Sequence, residues 1–337
     1  MWRIWDKQAG YEEWVAVRRK VMAALCAAAL LMATGCTPSP ITTVPSASKS
    51  LNLVPLTVGL PEVPEDVNPA EGALLANVYA AALNAAGLHT LVAEKPSPAG
   101  TMVSGLEAGD YDIVLAYSRE ALAELSPEAA EDPAADANKV LSELKAALPD
   151  SVMELDPTKV EDQDAMVVTA VTAEKYQLKS ITDLARVCGQ LTLGGSAQFK
   201  TKDTGLPALE RDYKCVPETY KQLRPVLDTG SDSVVWSLLR DDIQVADIHA
   251  SSPAIADNAL VALSDPMNIF PAQTIVPLVA GDRAGADAQD VLNKVSAALT
   301  TEELSNLNRL AQDRQDGNFG EVAQAWLVQK GLVKSSS

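Results

Sequence analysis

Histidine, cysteine and aromatic residues are scarce in this sequence. The 337 residues include two histidines and four cysteines, and no Cys-x-x-Cys or His-x-x-x-His pair occurs. A zinc site is therefore not expected, since structural zinc is held by clustered cysteines and histidines, and no cofactor is predicted. Aromatic residues make up 4% of the chain, so few rings are available to line a binding pocket.

Basic residues are also few compared with acidic residues. Lys and Arg number 27 against 45 Asp and Glu, which gives a formal net charge of −18. This balance argues against nucleic acid as a partner, because phosphate contacts require clustered Lys and Arg. The content of hydrophobic residues, 47%, is ordinary for a folded globular protein, and the length is sufficient for two lobes with separate cores.

The apolar run near the N-terminus is too short for a transmembrane helix. It covers residues 21–34, which is 14 residues, whereas a bilayer-spanning helix needs about 20. Because Arg18, Arg19 and Lys20 precede it, it is typical of the apolar region of a signal peptide. It ends in Ala-Thr-Gly-Cys36, which resembles a bacterial lipobox. We therefore expect a lipid on Cys36 that anchors the exported protein to the outer face of the cell membrane. A simple secretory signal with a chance cysteine is the alternative.

Residues 1–36 are thus interpreted as a lipoprotein signal peptide, although acidic residues and tryptophans within 1–17 fit poorly and indicate a start further downstream. Residues 37–50 are rich in Ser, Thr and Pro and predict a flexible tether. After Cys36 the only cysteines are Cys188 and Cys215. Export places them in an oxidising compartment, so we predict that they form a disulfide.

Strand and helix patterns alternate in the region that follows. Strands are predicted at 53–60, 88–93 and 111–116, with helices at 68–87 and 101–108. This order predicts a parallel sheet with right-handed crossovers, and such sheets bind ligands at the carboxyl ends of their strands. The rule points to Tyr117 and Ser118 and, after a similar helix-to-strand unit, to His249 and Ser251. Tyr117 could instead be a packing residue, and His249 either a pH-dependent pocket wall or a buried polar residue.

Two longer motifs are similar to a known family. Residues 191–213 read L-T-L-G-G-S-A-Q-F-K-T-K-D-T-G-L-P-A-L-E-R-D-Y, and residues 265–278 read D-P-M-N-I-F-P-A-Q-T-I-V-P-L. In the first motif, Gly194-Gly195 predicts a loop that can approach a ligand closely. With further matches over residues 51–332, the chain resembles the osmoprotectant substrate-binding proteins of ABC importers, which bind glycine betaine, choline and similar quaternary amines.

The resemblance implies an α/β fold, a two-lobed periplasmic-binding-protein-like clamp of type II with parallel sheets flanked by helices. Lobe I would comprise residues 51–165 and 265–337, and lobe II residues 166–264. A ligand would lie between the lobes and be held by cation–π contacts. The expected ligand-binding residues are Tyr117, Ser118, Phe199, His249, Ser251, Phe270 and Gln273. The chain departs from the family pattern at Ser118 and Arg119, and Gly72 stands where a polar ligand residue is expected.

The implied function is capture of glycine betaine or another quaternary amine for an ABC permease and ATPase, by a lipid-anchored monomer that is not an enzyme. A different small polar ligand, such as an amino acid, is an alternative. Three aromatic walls would supply only about half of the roughly 8 kcal/mol that micromolar binding needs. An exported hydrolase is the second alternative, since Asp247, His249 and Ser251 alternate along a predicted strand, but no G-x-S-x-G motif is present.

Overall fold

The structure is a computed structural model that describes residues 54–334, except residues 62, 65–66, 69, 99, 133–134, 225–232, 282, 313 and 315–316. The predicted signal peptide, the tether and the lipidation residue Cys36 lie outside the described residues. Within the described part of the chain, no helix combines the length and the apolar character that crossing a membrane requires.

Two mixed sheets form the framework. The strands are β1 (Leu56–Leu60), β2 (Thr90–Pro96), β3 (Ile113–Tyr117), β4 (Val152–Glu154), β5 (Asp164–Thr169), β6 (Thr192–Gly195), β7 (Thr219–Gln222), β8 (Val245–His249), β9 (Leu260–Ala262) and β10 (Ile275–Ala280). Sheet 1 has the order β2-β1-β3-β10-β4, and sheet 2 has the order β7-β6-β8-β5-β9.

Both sheets repeat one pattern of strand directions. In sheet 1, β1 is parallel to β2 and β3, whereas β10 is antiparallel to β3 and β4. In sheet 2, β6 is parallel to β7 and β8, whereas β5 is antiparallel to β8 and β9. The predicted parallel arrangement of β1, β2 and β3 is confirmed, and the antiparallel strand in each sheet, β10 or β5, is an addition that the prediction did not include. The chain enters β5 and β10 from the other sheet, at the edge where the parallel strands end, so these two strands run against their neighbours.

Helices cover both faces of each sheet. They are α1 (Glu71–Ala85), α2 (Met102–Ala108), α3 (Ser118–Leu125), α4 (Pro127–Ala130), α5 (Ala137–Ala147), α6 (Ala170–Tyr176), α7 (Ile181–Ala185), α8 (Ala197–Thr201), α9 (Leu206–Ala208), α10 (Val234–Leu239), α11 (Pro253–Asp257), α12 (Ala286–Ala298), α13 (Thr301–Gln312) and α14 (Phe319–Gln329). Short 3-10 and π-helical turns lie at Cys188–Gln190 and Leu209–Tyr213. On sheet 1, one core packs under α1 and α12 to α14, and another under α2, α3 and α5.

Helix α1 is the central helix of the first core. Leu74, Leu75, Val78 and Tyr79 form its apolar stripe and are fully buried, as expected for residues spaced three and four apart. Glu71 lies one turn before Leu75 on the same stripe and is also fully buried. The first turn of α1 therefore carries a carboxyl group into the interior of the protein.

The first of the two family motifs is packed differently from its prediction. Gly194 and Gly195 belong to β6 and not to a loop. A Cβ atom on Gly194 would lie 2.6 Å from Ile243 Cδ1, and one on Gly195 would lie 2.7 Å from the Tyr220 hydroxyl. The glycines thus allow close packing of protein side chains. Nearby, the structure joins Cys188 to Cys215 in a disulfide beside this core.

The chain passes between the sheets through two segments, which we call the crossing segments: residues 155–163 and residues 263–274. They lie side by side near β10. The backbone N–H of Thr158 donates to the carbonyl of Ile275 at 2.9 Å, and that of Asp162 donates to the carbonyl of Gln273 at 3.0 Å. These bonds bring the residues just before β5 next to the residues just before β10.

Candidate functional site

A cavity of about 580 Å³ lies where both sheets end their parallel strands. Sheet 1 contributes residues that follow β1, β2 and β3, and the crossing segments contribute Asp162, Gln163, Pro271 and Gln273. Sheet 2 contributes the end of β8 and the region of α8. The lining residues are Val63, Pro64, Gly100, Met102, Arg119, Glu120, Asp162, Gln163, Asp164, Gln198, Lys202, Thr204, His249, Pro271 and Gln273. The position agrees with the general rule that α/β sheets bind ligands at the carboxyl ends of their strands.

A buried cluster of charged side chains forms one wall of this cavity. The antiparallel register of β5 and β8 sets Asp164 opposite His249. Asp162 precedes Asp164 by two residues, and its Oδ1 lies 3.2 Å from His249 Nδ1. His249 Nε2 lies 3.3 Å from Asp164 Oδ1. Lys202 Nζ donates to Asp164 Oδ2 at 2.6 Å.

The carboxylates keep His249 charged. Burial works to lower the pKa of His249, but Asp162, Asp164 and Asp247 outweigh it and raise this pKa to about 10. His249 therefore carries a positive charge at neutral pH and donates from Nδ1 to Asp162. Each of the two cavity carboxylates then has a protein cation within ion-pair distance, as buried charges require.

Two carboxylate oxygens of this cluster remain without hydrogen bonds. Asp162 Oδ2 and Asp164 Oδ1 are buried and accept none from any residue that the structure describes. Their partner oxygens, Asp162 Oδ1 and Asp164 Oδ2, are the ones bonded to His249 and Lys202. Buried polar atoms in folded proteins nearly always have a partner. Asp164 Oδ1 lies 3.3 Å from the protonated Nε2 of His249, within ion-pair distance, and Asp162 Oδ2 is the oxygen of this cluster without a described partner.

A second buried network lies close to Asp162. The Tyr117 hydroxyl donates to Glu71 Oε1 at 2.5 Å, and Asn308 Nδ2 donates to Glu71 Oε2 at 2.5 Å. Burial, together with the nearby charge of Asp162, raises the pKa of Glu71 to about 8. Glu71 is therefore mainly a neutral carboxylic acid at neutral pH, which reduces the negative charge next to Asp162.

Arg119 lines the cavity but directs its guanidinium to the backbone. Its Nη1 donates to the carbonyls of Ala130 and Asp132 at 2.5 and 3.2 Å, and its Nη2 donates to the carbonyl of Ala135 at 3.1 Å. Its Nε donates to the carbonyl of Ala272 at 3.4 Å. Arg119 thus holds the loops around the cavity together, and its donors are largely occupied by the protein itself.

Of the seven predicted ligand-binding residues, His249 and Gln273 line the cavity. The other five are buried outside its lining: Tyr117, Ser118, Phe199, Ser251 and Phe270, none more than 2% exposed. Ser118 exchanges backbone and side-chain hydrogen bonds with Thr274. The rings of Phe199 and Phe270 pack against each other in the core of sheet 2, with centroids 6.0 Å apart.

Sequence reasoning missed Glu71, Asp162, Asp164 and Lys202 as members of the site. A signal for the aspartates was present, because Glu-Asp-Gln-Asp at residues 161–164 leads directly into the apolar run Ala-Met-Val-Val at residues 165–168. Glu71 could have been recognised from its place on the apolar stripe of α1. In the described part of the chain, no group of three or more His, Cys, Asp or Glu side chains is arranged to hold a metal ion.

Comparison with protein families gives one match that covers most of the chain. Residues 66–329 match the family model described as the substrate-binding domain of ABC-type glycine betaine transport systems. The matched range contains both sheets except for β1, and every residue that lines the cavity except Val63 and Pro64.

Solved structures share the fold. A glycine betaine/carnitine/choline ABC transporter structure is 19% identical, with a TM-score of 0.69 over 82% of this chain and 99% of that one. Apo YehZ from Escherichia coli is 24% identical, with a TM-score of 0.67 over 83% and 99%. Lactococcal OpuAC in its closed form with glycine betaine is 13% identical, with a TM-score of 0.51 over 82% and 97%. The predicted two-lobed α/β clamp, of the type II periplasmic-binding-protein class, is thereby confirmed.

Proposed function

Because the chain belongs to the family of substrate-binding domains of ABC-type glycine betaine transport systems, we propose that it captures a small amine in the cavity between its two sheets and delivers it to an ABC importer. The observation that carries this proposal is the cavity itself. It lies at the strand ends of both sheets, and the buried carboxylates of Asp162 and Asp164 are among its lining residues. A permease and an ATPase would be the partners in transport.

The ligand that we propose is glycine betaine or a related amine solute. Lactococcal OpuAC, which has the same fold, holds glycine betaine in its closed form. Asp162 and Asp164 supply negative charge for the amine, and Gln198, Thr204 and Gln273 supply polar groups for the rest of the molecule. Direct contact by Tyr117, Phe199 or Phe270 would require movement that uncovers these rings, and remains a prediction.

We also propose the lobe boundaries given above, residues 51–165 with 265–337 and residues 166–264. The membership of the sheets supports them, since β1 to β4 and β10 form sheet 1 and β5 to β9 form sheet 2. The proposed boundaries and the sheet membership differ only at β5, which begins at Asp164 and so starts two residues before the proposed first residue of lobe II. The protein would act outside the cytoplasm, as a monomer held at the membrane by a lipid on Cys36.

The geometry of His249 disfavours the hydrolase alternative. A catalytic triad requires one imidazole nitrogen to face the serine hydroxyl and the other to face a carboxylate. Here Nδ1 lies 3.2 Å from Asp162 and Nε2 lies 3.3 Å from Asp164. With both nitrogens beside carboxylates and a pKa raised to about 10, His249 is unsuited to act as a base towards Ser251.

Isothermal titration of the purified protein with glycine betaine, choline, carnitine, proline and glycine tests the proposal. We expect at least one of these to bind with 1:1 stoichiometry and to raise the melting temperature. The stabilisation should be about 2.7 kcal/mol at a hundredfold excess over the dissociation constant.

Asp162→Asn should weaken binding of that ligand by about tenfold or more, since it removes a buried charged acceptor. Asp150→Asn is the matched control, because Asp150 is exposed and lies outside the cavity lining. Absence of binding by every compound would contradict the proposed function. Equal binding by both variants and the wild type would contradict the placement of the site.

A further inference from the structure

We propose that an ion pair between the two lobes, Arg309 with Asp257, holds them in the wide arrangement of this structure and so lowers the affinity of the cavity for its ligand. The pair competes with closure of the lobes on a bound amine. This inference rests on the proposed function, because the ligand enters the same cavity, but it concerns two residues that do not line it.

The ion pair joins a helix of lobe I to a helix of lobe II. Arg309 lies on α13, and its Nε donates to the two carboxylate oxygens of Asp257 at 2.8 and 3.0 Å, while its Nη2 lies 2.7 Å from Oδ1. Its Nη1 donates to Asn306 Oδ1 at 2.6 Å. Asp257 is the last residue of α11, which is in contact with α13. A forked pair requires one orientation of guanidinium and carboxylate, so it restricts the relative position of the two helices.

Each partner is attached to the body of its own lobe. Beside Arg309 on α13, Asn308 donates to Glu71 of α1, in the core of lobe I. In lobe II, α11 follows β8 closely, and the backbone N–H of Ser252 donates to the carbonyl of His249 at the end of that strand. A displacement of α11 relative to α13 is therefore a displacement of β8 relative to lobe I.

The pair and the cavity lie at different parts of the crossing segments. Residues 162–163 line the cavity, whereas no residue of α11 or α13 does so. The backbone N–H groups of Lys159 and Glu161 donate to the Leu299 carbonyl and to Thr301 Oγ1, where α13 begins. Lobes that approach each other on the cavity side of these segments separate on the side of α11 and α13, so closure breaks the pair.

The cavity is wide for the ligand that we propose. Cavities of several hundred Å³ hold drug-sized molecules, and this one measures about 580 Å³, whereas glycine betaine is considerably smaller. Closure is therefore needed before both lobes contact such a molecule. When binding requires a minor arrangement of a protein, the dissociation constant increases as the population of that arrangement falls. An interaction that is lost on closure thus weakens binding.

Titration calorimetry of Asp257→Asn and Arg309→Gln tests this inference. The probe is whichever of glycine betaine, choline, carnitine, proline and glycine binds the wild type most tightly. Both variants should bind it about two- to fivefold more tightly than the wild type, the range expected for loss of an exposed ion pair. The double variant should gain no more than either single variant, because the same pair is lost. Arg314→Gln is the matched control, since it removes an ion pair of similar exposure, with Glu321 at 2.8 Å, within lobe I.

Salt provides a second readout. Arg309 and Asp257 are 37% and 44% exposed, so raising the NaCl concentration from about 0.05 M to about 0.5 M screens the pair. The difference in affinity between the wild type and the two variants should then become smaller. Variants that bind the probe as tightly as the wild type, or more weakly, overturn the inference and leave the proposed function standing. If none of the five compounds binds to any of these proteins, the proposed function and the inference fall together.

Discussion

Two buried groups hold protons around Asp162. Glu71 keeps a carboxylic acid proton because burial raises its pKa to about 8. His249 keeps its second proton because the three surrounding aspartates overcome the effect of burial and raise its pKa to about 10. His249 lines the cavity and Glu71 is buried where it interacts with Asp162, so their protonation affects the charge in and beside the site as well as the stability of the fold.

We expect the free energy of unfolding to fall as the pH rises from 6.5 to 8. For Glu71 the pKa is about 8 in the folded state against an ordinary 4.5, so its stabilisation is complete below pH 4.5 and is lost by pH 8. For His249 the pKa is about 10 against 6.5, so its stabilisation is complete below pH 6.5 and is lost by pH 10. Between pH 6.5 and pH 8 both groups contribute, and the two slopes add, each reaching at most about 1.4 kcal/mol per pH unit.

Urea unfolding between about pH 5 and about pH 9 measures this dependence. In the Glu71→Gln variant, the free energy of unfolding should no longer fall with pH below pH 6.5. Above pH 6.5 it should still fall, with the slope that His249 contributes. Glu174→Gln is the matched control, because Glu174 is exposed on α6 and the variant should follow the wild-type curve. A wild-type stability that is constant or increasing between pH 6.5 and 8 would show that these groups do not hold their protons in the folded state.

At the scale of single residues, the sequence predicted where a residue lies in the fold better than which side chains it contacts. Tyr117 and His249 were found because they follow strands, and both lie at the strand ends as expected. Their contacts were not predictable, because Tyr117 bonds to Glu71, 46 residues away, and His249 bonds to Asp162, 87 residues away. Local periodicity contains no information on which distant side chains meet in a core.

At the scale of elements, the disulfide links the turn before β6 to the segment that leads into β7. Cys188 and Cys215 are 27 residues apart in sequence, and both are buried in the core of sheet 2. Between them lie β6, α8 and Lys202, which bonds to Asp164 in the cavity wall. The bond therefore restricts the part of sheet 2 that contributes to the site.

Replacing both cysteines with alanine should lower the free energy of unfolding by about 3–4 kcal/mol, because a loop of this length is no longer closed in the unfolded chain. Chemical denaturation of the oxidised wild type and of the double variant measures the difference. Reductant should lower the stability of the wild type and have no effect on the variant. A wild type that is indifferent to reductant, with two free thiols by alkylation, would contradict the bond.

At the scale of elements, helix and strand patterns in the sequence predicted some features of the fold and not others. The strand-to-helix alternation in the first half was predictable, since apolar spacing distinguishes the two. The reversed direction of β5 and β10 was not, because a strand has the same side-chain period in either direction. Gly194-Gly195 was taken for a loop because glycine pairs often mark one, whereas here they are needed for packing inside β6.

At the scale of the whole molecule, lipid attachment at Cys36 is the prediction that links the fold to its place in the cell. Metabolic labelling with a fatty-acid analogue, followed by fractionation, should show a labelled membrane-bound wild type and an unlabelled Cys36→Ser variant. Cys26→Ser is the matched control, since Cys26 lies within the apolar run of the predicted signal peptide and should not affect labelling. Labelled protein in the Cys36→Ser variant would place the lipid elsewhere.

The pairing of the crossing segments has a mechanical consequence. The chain links the two sheets only through these segments within residues 54–334, and the bonds from Thr158 to Ile275 and from Asp162 to Gln273 join them into one ribbon. Any rotation of one sheet relative to the other must bend this ribbon, so Asp162 lies near the pivot. Atoms near a pivot move least, whereas Gln198, which lies on α8 and not in the ribbon, would move further in the same rotation. A bound amine would thus contact Asp162 at a nearly fixed position, and the residues of sheet 2 would move to cover it.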